Sequence, residues 1–426
     1  MSRNGIAVTG VMMAVLRAAS VAQTAPRPVT ITISGLGLEH ATELRRDALD
    51  ELEHRTGIRA DLIPTPGDSA KQLIQSLRLL EAHSATPDVY VIDVVWPGAL
   101  GQYLLDLGSW LEVNARLHLP ALLRNDIVDG HLVSLPFYLN VGMLYCRRDL
   151  LEKYGYHHAP GNWGELESMA LRIQRGERAA GNRDFWGYVW QGGPFEGLTC
   201  NALEWQAAFG GGHIIEPDGT VSVNNPGTIR ALRQATRWVG TISPATVLSY
   251  TESDSLNAFE SGNAAFLRYW SSGFPAARLR DGVQVALLPA GPRGRAQVMG
   301  GFQLAVSRYS AHPREAARLV DFLTGSEVQM RRALRRGYLP TIPRLYDQPE
   351  LANALPQVGE LRRAGLESWV TRPSTISGAK YAQVSKAYYD TVHDILSRKV
   401  EAKEGVARLE QQLIEMGFRA GAPPKQ

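Results

Sequence analysis

The acids best placed for chemistry are those beside glycine turns and aromatic residues. Glu39 and Glu43 follow Gly35-Leu36-Gly37, Asp93 lies three residues before Trp96, and Glu196 follows Phe195. Carboxylates accept hydrogen bonds from hydroxyl groups, each such bond to a charged group contributing about 1.5–3 kcal/mol. Aromatic rings cover C–H surface, and the chain has nine Trp and fifteen Tyr to draw on. Acids and rings together suit a ligand rimmed with hydroxyls. The same acids could instead work in pairs. Asp93, Glu43 and Glu196 could supply the two carboxylates with which a glycosidase flanks one bond, and product formation would distinguish that alternative. Other chemistries lack their motifs. Gly35-Leu36-Gly37 has no third glycine of a dinucleotide fingerprint, no Gly-Lys-Ser/Thr phosphate loop occurs, and His157-His158 has no zinc spacing, so no cofactor or metal is expected.

The elements that must position these acids read as alternating strands and helices. Val29-Thr30-Ile31-Thr32-Ile33 is a β-rich run closed by the glycine turn, and a helix follows with Leu44, Ala48 and Leu52 on one face. A second strand spans 58–63 and a third is the nearly all-apolar Val89-Tyr90-Val91-Ile92-Asp93-Val94-Val95-Trp96. Such alternation predicts a parallel α/β sheet, with ligands at the carboxyl ends of its strands. Asp93, Trp96 and the turn from Gly35 to Glu43 are therefore candidate positions. Ordinary roles are open too: Asp93 could cap a helix or hydrogen-bond a turn, either glutamate could favour a helix N-terminus by charge, and a lone Trp such as Trp270 could be core. The alternation restarts after Pro136-Phe137-Tyr138-Leu139-Asn140-Val141-Gly142, with a helix from Trp163, a strand at 185–190, a helix from about Thr199 and strands at 264–269, 283–288 and 303–307. From Pro313 onward the pattern is mostly helical.

Length points to two or three domains, with two lobes as the starting point, and a formal charge of +3 over the whole chain disfavours nucleic acid. Arg331, Arg332, Arg335 and Arg336 have helical spacing and read as a solvated helix face, with docking to a membrane partner as the sharper alternative. Residues 1–22 resemble a secretory signal: Arg3, an apolar run from Ile6 to Leu16, and small residues ending Ser20-Val21-Ala22. No cysteine lies near it for lipid attachment. Cys146 and Cys200 are expected to be free buried thiols.

Four segments carry a resemblance: VYVIDVVW (89–96), LPFYLNVGMLYCRRDLLEKYGY (135–156), DFWGYVWQGGPFEGLTCNALEW (184–205) and SGNAAFLRYW (261–270). Together they resemble the trehalose/maltose-binding branch of the maltose-binding protein superfamily, over nearly the whole chain. The resemblance implies a two-lobed α/β binding-protein fold with a hinge. One lobe would take 28–138 and 303–345, the other 142–300 and 346–420, with a tail at 421–426. It implies a monomeric periplasmic receptor, not an enzyme, delivering a disaccharide to the permease subunits of an ABC importer. The family's sugar contacts carry over onto Glu43 or Glu39, Asp93, Tyr138, Trp270 and Arg372, with Glu196 reaching in from the second lobe. Asn140 stands where close relatives carry Asp. In Gly300-Gly301-Phe302, Phe302 replaces a stacking Trp, and Ser271-Ser272 replaces a pair containing Tyr. These departures predict less stacking surface on one side and leave the sugar open, as they do a glycerol phosphodiester in place of a sugar.

Overall fold

The computed structural model describes residues 29–36, 42–65, 69–272, 282–355, 358–359, 361 and 369–421. The expected signal segment and Glu39 lie outside them. Eleven strands occur among the described residues: β1 (Val29–Leu36), β2 (Ile58–Pro64), β3 (Val89–Asp93), β4 (Ile127–Val128), β5 (His131–Leu132), β6 (Leu135–Arg147), β7 (Trp186–Val189), β8 (Ala264–Trp270), β9 (Val283–Leu287), β10 (Gln297–Val306) and β11 (Trp369–Val370). Nine of them form one curled sheet in the order β2-β1-β3-β10-β6-β8-β7, with β11 added to β10 and β9 to β6.

The sheet has two halves joined by its longest strands. In the first half the β-branched β1 pairs in parallel with β2 and β3, as strand–helix alternation predicts. Gly35 makes the approach possible: at φ +104° a Cβ there would lie 2.2 Å from the Val91 carbonyl oxygen. In the second half β7 and β8 are parallel. Between them β10 runs antiparallel to β3 and β6, and β6 antiparallel to β8, which alternation alone does not predict. Residues 135–141 of β6 pair with β10, whereas 142–147 turn to β8 and β9. β10 likewise pairs with β3 at one end and with β11 at the other. The fold is thus mixed α/β, and β6 and β10 cross from one half to the other.

Gly301 permits that crossing. Its φ is +125°, and an added Cβ would sit 2.2 Å from the Tyr138 carbonyl oxygen, where the β6–β10 register slips by a residue. Gly301→Ala is expected to destabilise the protein by about 1–3 kcal/mol and to shift Tyr138. An unchanged melting temperature in circular dichroism would show the crossing to be tolerant.

Helices cover the second half with a dense aromatic core. Trp163, Trp190, Trp205 and Trp238 are fully buried, with ring centroids 5.0–5.5 Å apart. Two of the helices have asparagine caps: Asn162 accepts from the Glu165 N–H at 2.9 Å and Asn225 from the Thr228 N–H at 3.0 Å. Cys146 and Cys200 are free and buried, and burial raises both thiol pKa values, which keeps them protonated.

The arginine run does not form a solvated face. Helix Ser326–Arg336 packs on the segment 45–56, which opens with a π-helical turn at Arg45–Leu49 that buries Asp47. Arg335 and Arg336 donate to the two oxygens of Asp47 at 3.1 and 3.0 Å, and Arg331 reaches Glu51 at 2.5 Å. Arg332 is buried. Helical spacing finds the face but not the acids opposite it, which are some 280 residues away in sequence.

Candidate ligand-binding site

Strand register assembles the site. Phe302 of β10 lies opposite Asp93 of β3 on one side and Tyr138 of β6 on the other, and Gly300 lies opposite Asn140. Side chains of directly opposed residues share a face, as do alternate residues along a strand. Asp93, Phe302, Tyr138 and Asn140 therefore line one strip of the sheet. The Tyr138 and Phe302 rings stack at 5.4 Å, both half-buried. Beyond them, half-buried Trp270 at the end of β8 rests its ring 4.3 Å from the Arg268 guanidinium and crosses Gly300, where a Cβ would come within 3.0 Å of it.

Arg372 joins the two halves across this strip. Only 3% exposed, its side chain lies 2.6 Å from Glu196 and 3.6 Å from Asp93, and it donates to the Met299 carbonyl at 3.4 Å. The sequence reading of Asp93 as a cap is partly realised, since its Oδ1 accepts the Val95 N–H at 3.1 Å. Burial pushes the Asp93 carboxyl up to about 6; Arg372 opposes the rise and Glu196 adds to it. Burial also works against the charge of Arg372, but the acidic groups around it, Glu196 and Asp93 among them, more than offset this and hold it protonated. Glu196 opens helix Glu196–Ala208 and is held by Arg372, by the Tyr381 hydroxyl and by Ser385 at 2.5 Å. Oε1 meets the guanidinium and Tyr381, and Oε2 is taken by Ser385.

Other expected residues take different places. Asn140 accepts from Ser271 Oγ and from the Ser272 N–H, both at 3.0 Å, and so ties β6 to the turn after β8. Glu43 is 3.2 Å from Arg336 on the first half of the molecule. Trp96 is a core residue: 3% exposed and packed among Leu100, Leu104 and Leu122, it offers a ligand no surface. The sequence reading missed Glu252. This first residue of helix Glu252–Glu260 receives a hydrogen bond from Trp270, has its carboxyl raised by burial, and lies within electrostatic reach of Asp93 and Glu196. Its one sequence signal, a capping box from Thr251 to Asp254, accounts for a helix start and hides the role. Two carboxylates, Asp93 and Glu196, thus flank one guanidinium with Glu252 further off, and aromatic rings lie on the same strip: acceptors, a fixed donor and stacking surface in one place.

The profile of bacterial extracellular solute-binding proteins matches residues 39–330. The chain belongs to this family. A probable ABC transporter-binding protein of Deinococcus radiodurans is 40% identical over 411 residues, 95% of this solute-binding protein and 97% of the relative. Maltose-bound MalE3 of T. maritima superposes with a TM-score of 0.83 at 31% identity, over 91% of this chain and all of that one. UgpB of Mycobacterium tuberculosis in complex with glycerophosphocholine superposes at 0.77 with 17% identity, over 91% and 98%, a likeness of fold alone. The solute-binding protein is the substrate-binding component of an ABC-type importer and not an enzyme, with the two-lobed architecture of its structural relatives. No helix among the described residues is long and apolar enough to cross a membrane.

Proposed function

We propose that this solute-binding protein receives a neutral disaccharide, such as trehalose or maltose, in a cleft between its lobes and passes it to the membrane permease. The observation that carries this reading is the shared sheet face, on which Asp93 as acceptor and Tyr138 and Phe302 as platform meet Arg372 and Trp270 from the second half. A sugar needs this combination, because its ring offers C–H patches to an aromatic face and its hydroxyls both donate and accept. Likeness to maltose-bound MalE3 at 31% identity supports the same ligand class. The lobes would comprise 28–138 with 303–345 and 142–300 with 346–420, β6 and β10 acting as hinge strands. Closure over the ligand would signal the loaded state to the permease. The receptor would work as a periplasmic monomer after signal cleavage near Ala22. A glycerol phosphodiester is the second reading, raised by the fold likeness to UgpB. Two carboxylates at one guanidinium, with Glu252 adding negative charge near Asp93, weigh against a phosphate.

A thermal-shift series with trehalose, maltose, sucrose and glycerophosphocholine tests the choice. A ligand at 100 times its dissociation constant adds about 2.7 kcal/mol, so the cargo raises the melting temperature visibly. A rise with the phosphodiester alone would overturn the sugar reading. Trp270→Ala is expected to weaken sugar binding by about 2 kcal/mol, roughly 30-fold, with the fold intact. Unchanged affinity by calorimetry would remove Trp270 from the site.

A further inference from the structure

Arg332 is the anomaly of its helix. Arg331, Arg335 and Arg336 all reach carboxylates, whereas Arg332, 6% exposed, has no ion pair and its Nη1 has no hydrogen-bond partner among the described residues. Burial correspondingly pulls its pKa below the ordinary arginine value. Asp47 and Glu43 act on it only from beyond ion-pair distance; a guanidinium buried without a carboxylate in contact works against folding, and a methionine of similar reach would fill the space without that penalty. What surrounds Arg332 instead is aromatic. Its guanidinium carbon lies 3.8 Å from the ring centroid of Phe137, 4.6 Å from that of Tyr338 and 5.4 Å from that of Tyr138. These rings are continuous with the ligand strip: Tyr338 and Tyr138 meet at 4.4 Å with a 43° tilt, and Tyr138 stacks on Phe302.

We propose that Arg332 is a positioning residue for the aromatic wall of the ligand cleft, set behind Tyr138 and Tyr338 to hold the tilt of the rings on which the ligand stacks. The inference rests on the reading of that strip as a sugar site. A cation attracts the electron-rich faces of all three rings at once and so restrains their rotation from behind. Apolar filler would pack the same volume without favouring one ring orientation. The guanidinium therefore serves binding more than stability.

The experiment uses the full chain and the disaccharide giving the largest thermal shift with wild type. Arg332→Met is expected to leave the melting temperature of the unliganded protein equal or higher, and to raise the Kd roughly tenfold, the equivalent of one strong cation–π contact. A monosaccharide too small to span the platform should lose less. Arg332→Lys keeps a cation but not the flat fork, and should recover part of the affinity. Arg332→Met binding within twofold of wild type overturns the inference while leaving the sugar reading in place. A wild type that binds no sugar overturns both. Should Arg332→Met fail to fold, Arg332→Lys decides: wild-type stability with a several-fold weaker Kd supports the positioning role, and a wild-type Kd rejects it.

Discussion

Glu204→Ala is expected to remove about 3–5 kcal/mol of stability, as breaking a fully buried ion pair does by stranding its partner. Glu204 and Arg268 are both 0% exposed and meet through two hydrogen bonds of 2.5 and 2.9 Å. Burial pushes the carboxyl up and Arg268 opposes that rise; burial also works against the arginine, and Glu204 overcomes it. The pair lies at the crossing. Glu204 also accepts the N–H of Val298 at the start of β10, Gly142 of β6 leaves room for its carboxylate, and Arg268 supports Trp270 from below. Without Glu204 the guanidinium keeps only Gln191, at 3.2 Å, as a side-chain hydrogen-bond partner among the described residues. Ligand affinity should fall along with stability, since the Trp270 ring rests on that guanidinium. Urea denaturation measures the first effect and calorimetry the second. A loss below about 1 kcal/mol, the size of an exposed pair, would mean the core relaxes around the stranded charge.

Arg372→Met should have the next largest effect and should act on binding and stability together. It leaves Asp93 and Glu196 facing each other without their shared cation. We expect a stability loss of roughly 2–3 kcal/mol at neutral pH, short of the 3–5 kcal/mol of a fully buried pair because the Glu196 side chain retains 29% exposure. On the proposed sugar reading, in which Arg372 is the fixed donor, affinity should drop at least tenfold. The pH dependence identifies the cause. Asp93 titrates at about 6 in the folded protein, above its ordinary value of 3.8, so between these values the folded state holds a proton that the unfolded state has released. Its burial therefore opposes folding in full above pH 6, and the penalty fades as pH falls toward 4. Arg372 lowers the Asp93 pKa, so the variant should carry a still higher one and a steeper decline in stability from pH 5 to pH 8. Melting temperatures across that range provide the check. A deficit of equal size at pH 5 and pH 8 would locate the loss in packing and not in charge.

Part of the site follows from local pattern. Asp93 ends an almost wholly apolar strand, and an acid there needs polar partners; it accepts from the Val95 N–H and meets Arg372. Phe302, Gly301 and Tyr138 come from the family resemblance and not from local pattern; the strand expected at 303–307 begins instead at Gln297 and so takes in Gly301 and Phe302, while Tyr138 lies in β6. Trp96 shows the limit of this reasoning. The same strand-end argument that places Asp93 in the cleft also nominated Trp96, but a few residues on the chain has turned into the helix 97–100 and the ring points into the core. Glu252 escaped notice for the opposite reason, because a sufficient local explanation was available.

The sequence by itself determined the alternation of strands and helices, the two-part organisation and the family, because apolar periodicity, turn residues and short motifs act over a few neighbours. Only the tertiary structure decided which charges meet. Arg372 reaches Asp93 from 279 positions away, Asp47 receives arginines from nearly 290 away, and Arg332 is enclosed by rings contributed from β6 and from the turn after its own helix. Electrostatic and ring contacts depend on distance in space, and that distance is set by strand register and helix packing once the whole chain has folded.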